Sequence, residues 1–339
     1  MTTTLQYTHA APGNPLISVC GLSLVKRAAI TLSRAGTTRL VVVAHAADAA
    51  AIRAELADKR VTAAVELADA PEGSVLSGDR VFLKSALESE TSANWRPVAG
   101  PQDIPAAEDM LIASLTKAAD GIVARNINRK ISTRISRRLA PYAVHPNQVS
   151  AIVCLIGVLS YPLNAMGSWL GFALGGLCYY ASSVLDGVDG ELSRLKFLGS
   201  PLGAWVDTIV DDIVGTAYLA GLYLGLHRQM GGELWKWVGI VAIVGYFLTI
   251  LPRYWLMITR VGVGDHQAIQ AKRSAGEKRG IARWVDFLAT KVFRLDFLMF
   301  MAFLLSLAGL PWIYAGFFAL GSVLSVGETI YTVSQLRRR

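Results

Sequence analysis

The sequence predicts a polytopic α-helical membrane protein of six transmembrane helices joined to an N-terminal soluble α/β domain. Three observations predict it. Apolar residues, 53% of a 339-residue chain, concentrate after residue 147, whereas the first hundred residues alternate short apolar runs with polar turns. Six mostly apolar segments of bilayer-spanning length then follow, at about 147–166, 168–195, 201–226, 235–257, 292–309 and 311–334. Lys and Arg, finally, gather in alternate connections between them.

That placement decides what the net charge of +8 means. Cations precede the first segment (Lys117, Arg125, Arg129, Lys130, Arg134, Arg137, Arg138), follow the second (Arg194, Lys196), run from Arg253 to Arg294, and close the chain at Arg337, Arg338 and Arg339. The other connections hold only Arg228 and Lys236. The excess is therefore a topological signal that puts both termini in the cytoplasm and makes membrane lipids, not nucleic acid, the expected partner. The opening "MTTTLQYTHAAPGN" has neither a basic nor an apolar leader region, so no cleaved signal peptide is expected. Cys20, Cys154 and Cys178 are isolated and odd in number, and read as reduced core thiols.

Residues 1–105 read as a small α/β unit. "PLISV" and "RLVVVAHA" have the apolar, β-branched character of short buried strands. "LSLVKRAAITLSRAG" between them has helical spacing and a Gly stop, and "DRVFLKSAL" reads as a strand entering a helix. A βαβ order implies a parallel sheet. The run "NPLISVCGLSLVKRAAITLSRAGTTRLVVVA" resembles the nucleotidyltransferase fold of sugar-phosphate cytidylyltransferases. That resemblance implies a glycine-rich, arginine-containing phosphate loop after the first strand and a lysine before the proline. Here Asn14 precedes Pro15, no such loop lies upstream, and only "SGDRVF" around Asp79 is similar to the later acidic motif. The unit is expected to be a cytoplasmic, non-catalytic cap.

The stretch "SANWRPVAGPQDIPAAED", with three prolines, reads as the linker out of the cap. Beyond it, over 106–146, Leu115, Ile122, Ile131, Ile135 and Leu139 recur among basic residues, the pattern of an amphipathic helix lying on the membrane surface. A sharper reading gives Arg129 and Arg134 a substrate phosphate. Residues 147–339 make up the membrane domain.

Within that domain, "DGVDGELSRLKFLGSPLGAWVDTIVDD" carries five aspartates and an arginine. Asp186 and Asp189 are i and i+3 on the second apolar segment, and Asp207 and Asp211 are i and i+4 on the third, so each pair leaves one helix face. An ionised Asp in a span costs several kcal/mol, on the order of 3, and four together repel. Nearby Lys and Arg are too few to balance them as a salt-bridge network. Four oxygen donors suit hard divalent cations, Mg²⁺ or Mn²⁺. Asp212, one residue past Asp211, is expected to face away. Gly190 and Gly203 leave room for close approach, although small residues also serve helix packing, and "FALGGL" is read as packing alone.

The full spacing is Asp186-x₂-Asp189-Gly190-x₂-Ser193-Arg194-x₈-Gly203-x₃-Asp207-x₃-Asp211. It closely resembles the CDP-alcohol phosphotransferase signature D-x₂-D-G-x₂-A-R-x₈-G-x₃-D-x₃-D, with Ser193 in place of the alanine, and "HPNQVS" at 145–150 is similar to the family's Pro-Asn segment. The resemblance covers roughly 110–339 and implies six spans, a CDP-linked donor, an alcohol acceptor and release of CMP. It further implies two divalent ions held by Asp186, Asp189, Asp207 and Asp211, with Gly190, Arg194 and Gly203 around the nucleotide. Asp211 is the candidate general base for the acceptor hydroxyl. A divalent-cation transporter would leave the Gly and Arg spacing unexplained and offers no second-repeat site. A catalytically dead scaffold is disfavoured because every acidic position is filled.

The cap together with "INRKISTRISRRLA" and "HPNQVS" resembles the subgroup that includes di-myo-inositol-phosphate-phosphate synthases and inositol-phosphate-dependent phospholipid synthases. This implies an inositol phosphate (polyol phosphate) acceptor with CDP-diacylglycerol or CDP-inositol as donor. Transfer of a CDP-linked headgroup to a lipid alcohol is the alternative. Among the cations between the fourth and fifth segments (Arg253, Lys272, Arg273, Lys278, Arg279, Arg283), Arg253 stands out for following Pro252 inside an apolar run, and is the candidate for acceptor phosphate. His266 is expected to be inert. The active site is expected on the cytoplasmic side, and a homodimer is one assembly left open.

Overall fold

A computed structural model of the chain describes residues 1–7, 14–83, 85, 94–116, 120–261 and 294–337. They fall into two compact units. The first comprises Met1–Ala118, Thr133–Val144 and Glu191–Leu198, and the second Ala119–Ser132, His145–Gly190 and Gly199–Arg339.

The first unit is built on β1 (Thr2–Gln6), β2 (Ser18–Val19), β3 (Leu22–Ser23), α1 (Leu24–Arg34), β4 (Arg39–Val43), α2 (Ala49–Leu56), β5 (Ala64–Leu67), β6 (Ser74–Ser77), β7 (Arg80–Phe82), β8 (Trp95–Pro97) and α3 (Ile104–Ala113). Its main sheet has the order β5-β4-β1-β6 and every pairing is parallel, with Leu5 opposite Val42 on one side and Leu76 on the other. The parallel sheet expected from the βαβ order is present, but its first strand is not "PLISV". The strand is β1, whose Thr-rich run suits a pleated ladder. Pro15 has no N–H to give a ladder, and residues 14–16 form a 3₁₀ turn instead. Only Ser18 and Val19 are extended, in a two-residue antiparallel pairing with β3.

Helix α1 starts where expected because Ser23 accepts a hydrogen bond from the Lys26 amide, and it stops at Ala35 and Gly36. Val25, Ala28, Ala29 and Leu32 leave one face of it and pack on Leu5, Leu40 and Val42, with Ile52 and Leu56 of α2 completing the core. Leu5 is fully buried at the centre. Truncating it to Ala would cost about 2–5 kcal/mol. From Asn94 on, the stretch expected as a linker carries regular structure: β8 pairs antiparallel with β7, and α3 begins at Ile104, within the prolines. The helix expected at the end of "DRVFLKSAL" falls on residues 83–87, of which 84, 86 and 87 lie outside the described residues.

The second unit contains the apolar helices α5 (Pro146–Ala165), α6 (Trp169–Leu195) as far as Gly190, α7 (Pro201–Met230), α8 (Leu234–Leu256), α9 (Leu295–Leu307) and α10 (Pro311–Arg337); α4 (Arg129–Leu139) begins in it and passes to the first unit at Thr133. Each apolar segment of the sequence corresponds to one helix. Among the described residues α5, α7 and α8 are long and apolar enough to cross a membrane, and α9 and Pro311–Gly327 of α10 are shorter apolar helices. Helix α6 has the length, at 27 residues, but Gly, Ser, Tyr and its acidic end dilute its hydropathy. Pro146 and Pro201 occupy first helical positions, behind N-caps His145 and Ser200.

Helix α5 packs closely along α7 through small residues. A Cβ at Gly225 would lie 2.0 Å from the Asn164 carbonyl oxygen, and one at Gly221 2.5 Å from that of Tyr161. The glycines of "FALGGL" do the same for α6: Gly175 abuts the Asn164 side chain and Gly176 abuts Phe303 and Ser306 of α9. Tyr179 of α6 stacks on Tyr218 of α7 with ring centroids 4.1 Å apart.

Candidate active site

The acidic stretch is helical on both sides of a short turn. Asp186 and Asp189 lie on α6, Asp207 and Asp211 on the N-terminal half of α7. Ser200 starts α7 by accepting from the Gly203 amide at 3.0 Å, which places Gly203 in the first turn and Asp207 one turn later. Among the described residues, the Cβ position of Gly203 meets only the Ser200 hydroxyl within 4 Å, at 3.3 Å.

The two helices bring the four carboxylates into one electrostatic neighbourhood. Asp186 feels Asp211, Asp207 and Asp189, and lies within hydrogen-bonding reach of Asp207. Asp186, Asp189 and Asp211 are partly buried, and Asp207 is exposed. Asp189 accepts a hydrogen bond from the Ser150 hydroxyl of α5, with His145 also near it. Ser150 and His145 belong to "HPNQVS", but no periodicity links either residue to Asp189. His145 itself caps α5, its Nδ1 accepting from the Asn147 amide at 3.3 Å while its own amide donates to Gln148.

Asp212 has a different set of partners. Its two carboxylate oxygens accept from Tyr246 and Tyr254 of α8, at 3.0 and 2.8 Å. Arg253, in the last turn of α8, is exposed. Lys272, Arg273, Lys278, Arg279, Arg283 and His266 lie outside the described residues.

Arg129 is held by Asp120 in a two-pronged ion pair, Nε to Oδ2 at 3.0 Å and Nη2 to Oδ1 at 3.2 Å. It also lies against α6, its Nη1 3.5 Å from the Cβ position of Gly187, next in chain to Asp186. Arg134 is exposed on α4. The face that α4 and the turn before it bury is polar: Asn128 accepts from Tyr180 at 2.7 Å, Ser136 donates to Glu191 at 2.6 Å, and Ser132 abuts Gly187. Ile122 and Ile131 of the expected apolar stripe are exposed. Arg194, in the last turn of α6, directs Nη2 at the Leu115 carbonyl at 3.5 Å and belongs to the first unit. Gly190 follows Asp189 on α6 and is partly buried.

The donor set fits a hard cation: carboxylates on two antiparallel helices, one of them open to solvent. Among the described residues no three His, Cys, Asp or Glu side chains converge as a ligand group. Asp189 is turned to Ser150 and Asp186 to Asp207.

A family model described as CDP-alcohol phosphatidyltransferase matches residues 143–326. A protein of Thermococcus kodakarensis named bifunctional IPC transferase and DIPP synthase is 37% identical over 152 residues, 44% of this chain and 33% of that one. One of the same name from Archaeoglobus fulgidus is 32% identical over 222 residues, 65% of this chain and 40% of the relative. The archaetidylinositol phosphate synthase of Pyrococcus horikoshii is 28% identical over 128 residues, 38% and 59% of the two chains. The matches to the bifunctional proteins thus span about a third to two fifths of those relatives' length.

Proposed function

The chain belongs to the CDP-alcohol phosphatidyltransferase family, and we propose that it transfers a substituted phosphoryl group from a CDP-linked donor to an alcohol, with release of CMP. The observation that carries the reading is the meeting of Asp186, Asp189, Asp207 and Asp211 from two helices in one neighbourhood. Those four residues would hold two divalent cations, Mg²⁺ or Mn²⁺, which when bound supply charge neutralisation for the donor pyrophosphate. The acceptor hydroxyl oxygen bonds to the phosphorus bearing the donor alcohol as the bridging bond to CMP breaks, and Asp211 takes the hydroxyl proton. Ser150 fixes the Asp189 carboxylate through its hydrogen bond. Gly190 and Gly203 contact the nucleotide; Arg194, expected to join them, lies in the first unit with its Nη2 directed at the Leu115 carbonyl.

The preferred acceptor is an inositol phosphate, with CDP-diacylglycerol or CDP-inositol as donor. Relatives named for IPC transfer, DIPP synthesis and archaetidylinositol phosphate synthesis support it. Its phosphate requires cations, for which Arg253 is the first candidate. Arg129 is the weaker one because Asp120 already neutralises it. In this reading the six apolar helices span the bilayer, with both termini and the site on the cytoplasmic side. Residues 1–105 form a non-catalytic cap, and 106–146 lie along the membrane surface.

The test is CMP release by purified protein with Mg²⁺ or Mn²⁺, with EDTA, and in Asp186→Asn, Asp189→Asn, Asp207→Asn and Asp211→Asn. Each variant is expected to lose more than about 100-fold, beyond what loss of an outer-shell partner costs. Full activity in EDTA, or a competent Asp207→Asn, would falsify the reading.

A further inference from the structure

An open cavity of about 230 Å³ lies in the first unit, and three of its lining residues are Arg27, Arg34 and Arg194. No Asp or Glu lines it among the described residues. Arg27 comes from the buried face of α1 and is only 3% exposed. Its Nη2 donates to the Val19 carbonyl at 2.9 Å, but its Nε is buried and has no hydrogen-bond partner among the described residues. Burial pushes the Arg27 guanidinium down to about 10, so it remains a cation at neutral pH. Glu108, the acid that acts on it, is engaged elsewhere: it accepts from the Cys20 amide at 3.2 Å and lies 3.7 Å from Arg137.

Phe197 holds two of these cations together. Its backbone takes a left-handed φ of 55°, unusual for an aromatic residue. The guanidinium carbons of Arg34 and Arg27 stand 5.1 and 5.6 Å from its ring centroid, and Arg34 Nη2 donates to its carbonyl at 2.8 Å. A buried guanidinium with an unused donor is costly unless an anion completes it.

We propose that this cavity binds a phosphate dianion. Guanidinium forks match tetrahedral phosphate oxygens better than they match chloride, and three cations around one small space favour a double charge. The cavity hydroxyls offer little to a polyol, since Thr31 donates to the Arg27 carbonyl at 2.9 Å and Ser114 to that of Leu111 at 2.6 Å. The remaining wall is apolar, and the space is smaller than the roughly 300–1,000 Å³ of sites for drug-sized ligands. Recognition therefore rests on the phosphate, whether it is free, the terminal group of a soluble monoester, or a lipid phosphate. The site does not depend on the reaction proposed above.

Titration calorimetry on the full detergent-solubilised chain, in buffer free of phosphate and sulfate, tests this with three probes: inorganic phosphate, CMP, and vesicles containing phosphatidic acid. Saturable binding of at least one is expected, and the one that binds tightest identifies the source. Arg34→Gln, an exposed change that leaves the fold intact, should weaken binding about tenfold, the loss of one charge-assisted contact. Arg27→Lys should weaken it too, while Asp207→Asn should bind as wild type even though it is expected to be inactive. No probe binding beyond a chloride control of equal ionic strength overturns the site. So does Arg34→Gln binding like wild type, and loss of binding in Asp207→Asn would move the phosphate to the carboxylates.

Discussion

Tyr254 donates its hydroxyl to Asp212 Oδ2 at 2.8 Å, and Tyr246 reaches Oδ1 of the same carboxylate at 3.0 Å. Two adjacent aspartates of α7 thus have separate surroundings. Asp211 lies among Asp207 and Asp186, while Asp212 ties α7 to α8. Asp212→Asn keeps an acceptor for one tyrosine and is expected to retain most CMP release while losing about 1 kcal/mol of stability. Asp211→Asn is expected to be inactive at near-normal stability. Thermal midpoints and initial rates measured side by side check this, and equal inactivity of the two variants would reject the division of roles.

Ser150 supplies a second test. It restrains Asp189 from α5, so Ser150→Ala is expected to lower CMP release about 10–100-fold and raise the Mg²⁺ concentration needed for half-maximal rate. Ser150→Thr, which keeps the hydroxyl, should recover most of the loss. An unchanged metal requirement in Ser150→Ala would mean that the hydroxyl only packs.

The carboxylate pairs were legible because a helix repeats every 3.6 residues, so spacings of three and four project from one face whatever the surroundings. The apolar helices were legible for the same kind of reason: length and hydropathy are local quantities. Ser150 was not, since 39 residues separate it from Asp189 and only the packing of α5 joins them. Strand β1 was missed because Thr3 and Thr4 are buried without being apolar, so the run shows no hydrophobic alternation. The buried face of α4 hid likewise, its serines and Asn128 finding polar partners rather than an apolar core.

For the cap, the Asn14 amide donates to Asp79 at 2.8 Å and to the Val98 carbonyl at 3.2 Å. The residue standing where the resemblance expects a lysine is thus used to pin the acidic turn. The full chain carrying Asp207→Asn, expected to silence the carboxylate site proposed above, is expected to release no pyrophosphate from CTP with an alcohol phosphate. Steady pyrophosphate release would make the cap a working nucleotidyltransferase.

Acid should loosen the cap at a definite point. Arg60 donates to Asp58 through Nε at 2.8 Å and Nη2 at 2.5 Å, with Lys26 3.4 Å away, and this pairing holds the Asp58 carboxyl well below the usual carboxylate range. A depressed folded value means the contribution is complete above the unfolded value of about 3.9 and is lost as pH falls towards the folded one. The thermal-midpoint gap between wild type and Asp58→Asn is therefore expected to be constant from about pH 8 to 5 and to shrink below about 4. A gap that persists unchanged at pH 3 would show that the pair adds nothing through charge.

The acceptor is decided by a KM comparison at Arg253, which is exposed in the last turn of α8, one residue before Tyr254. If the acceptor carries a phosphate, Arg253→Ala should raise the acceptor KM about tenfold and leave the donor KM within about twofold, because one charge-assisted contact is lost on one substrate only. Arg129→Ala should behave differently: it removes the Arg129–Asp120 ion pair, so its main effect is expected on stability rather than on either KM. Both variants are to be measured with CDP-diacylglycerol and with CDP-inositol, against inositol phosphate and against a lipid alcohol. Equal shifts in both KM values would remove Arg253 from the acceptor site. Turnover with the neutral lipid alcohol alone would reject the phosphorylated acceptor and leave the carboxylate chemistry standing, since that chemistry acts on the pyrophosphate whichever hydroxyl attacks it.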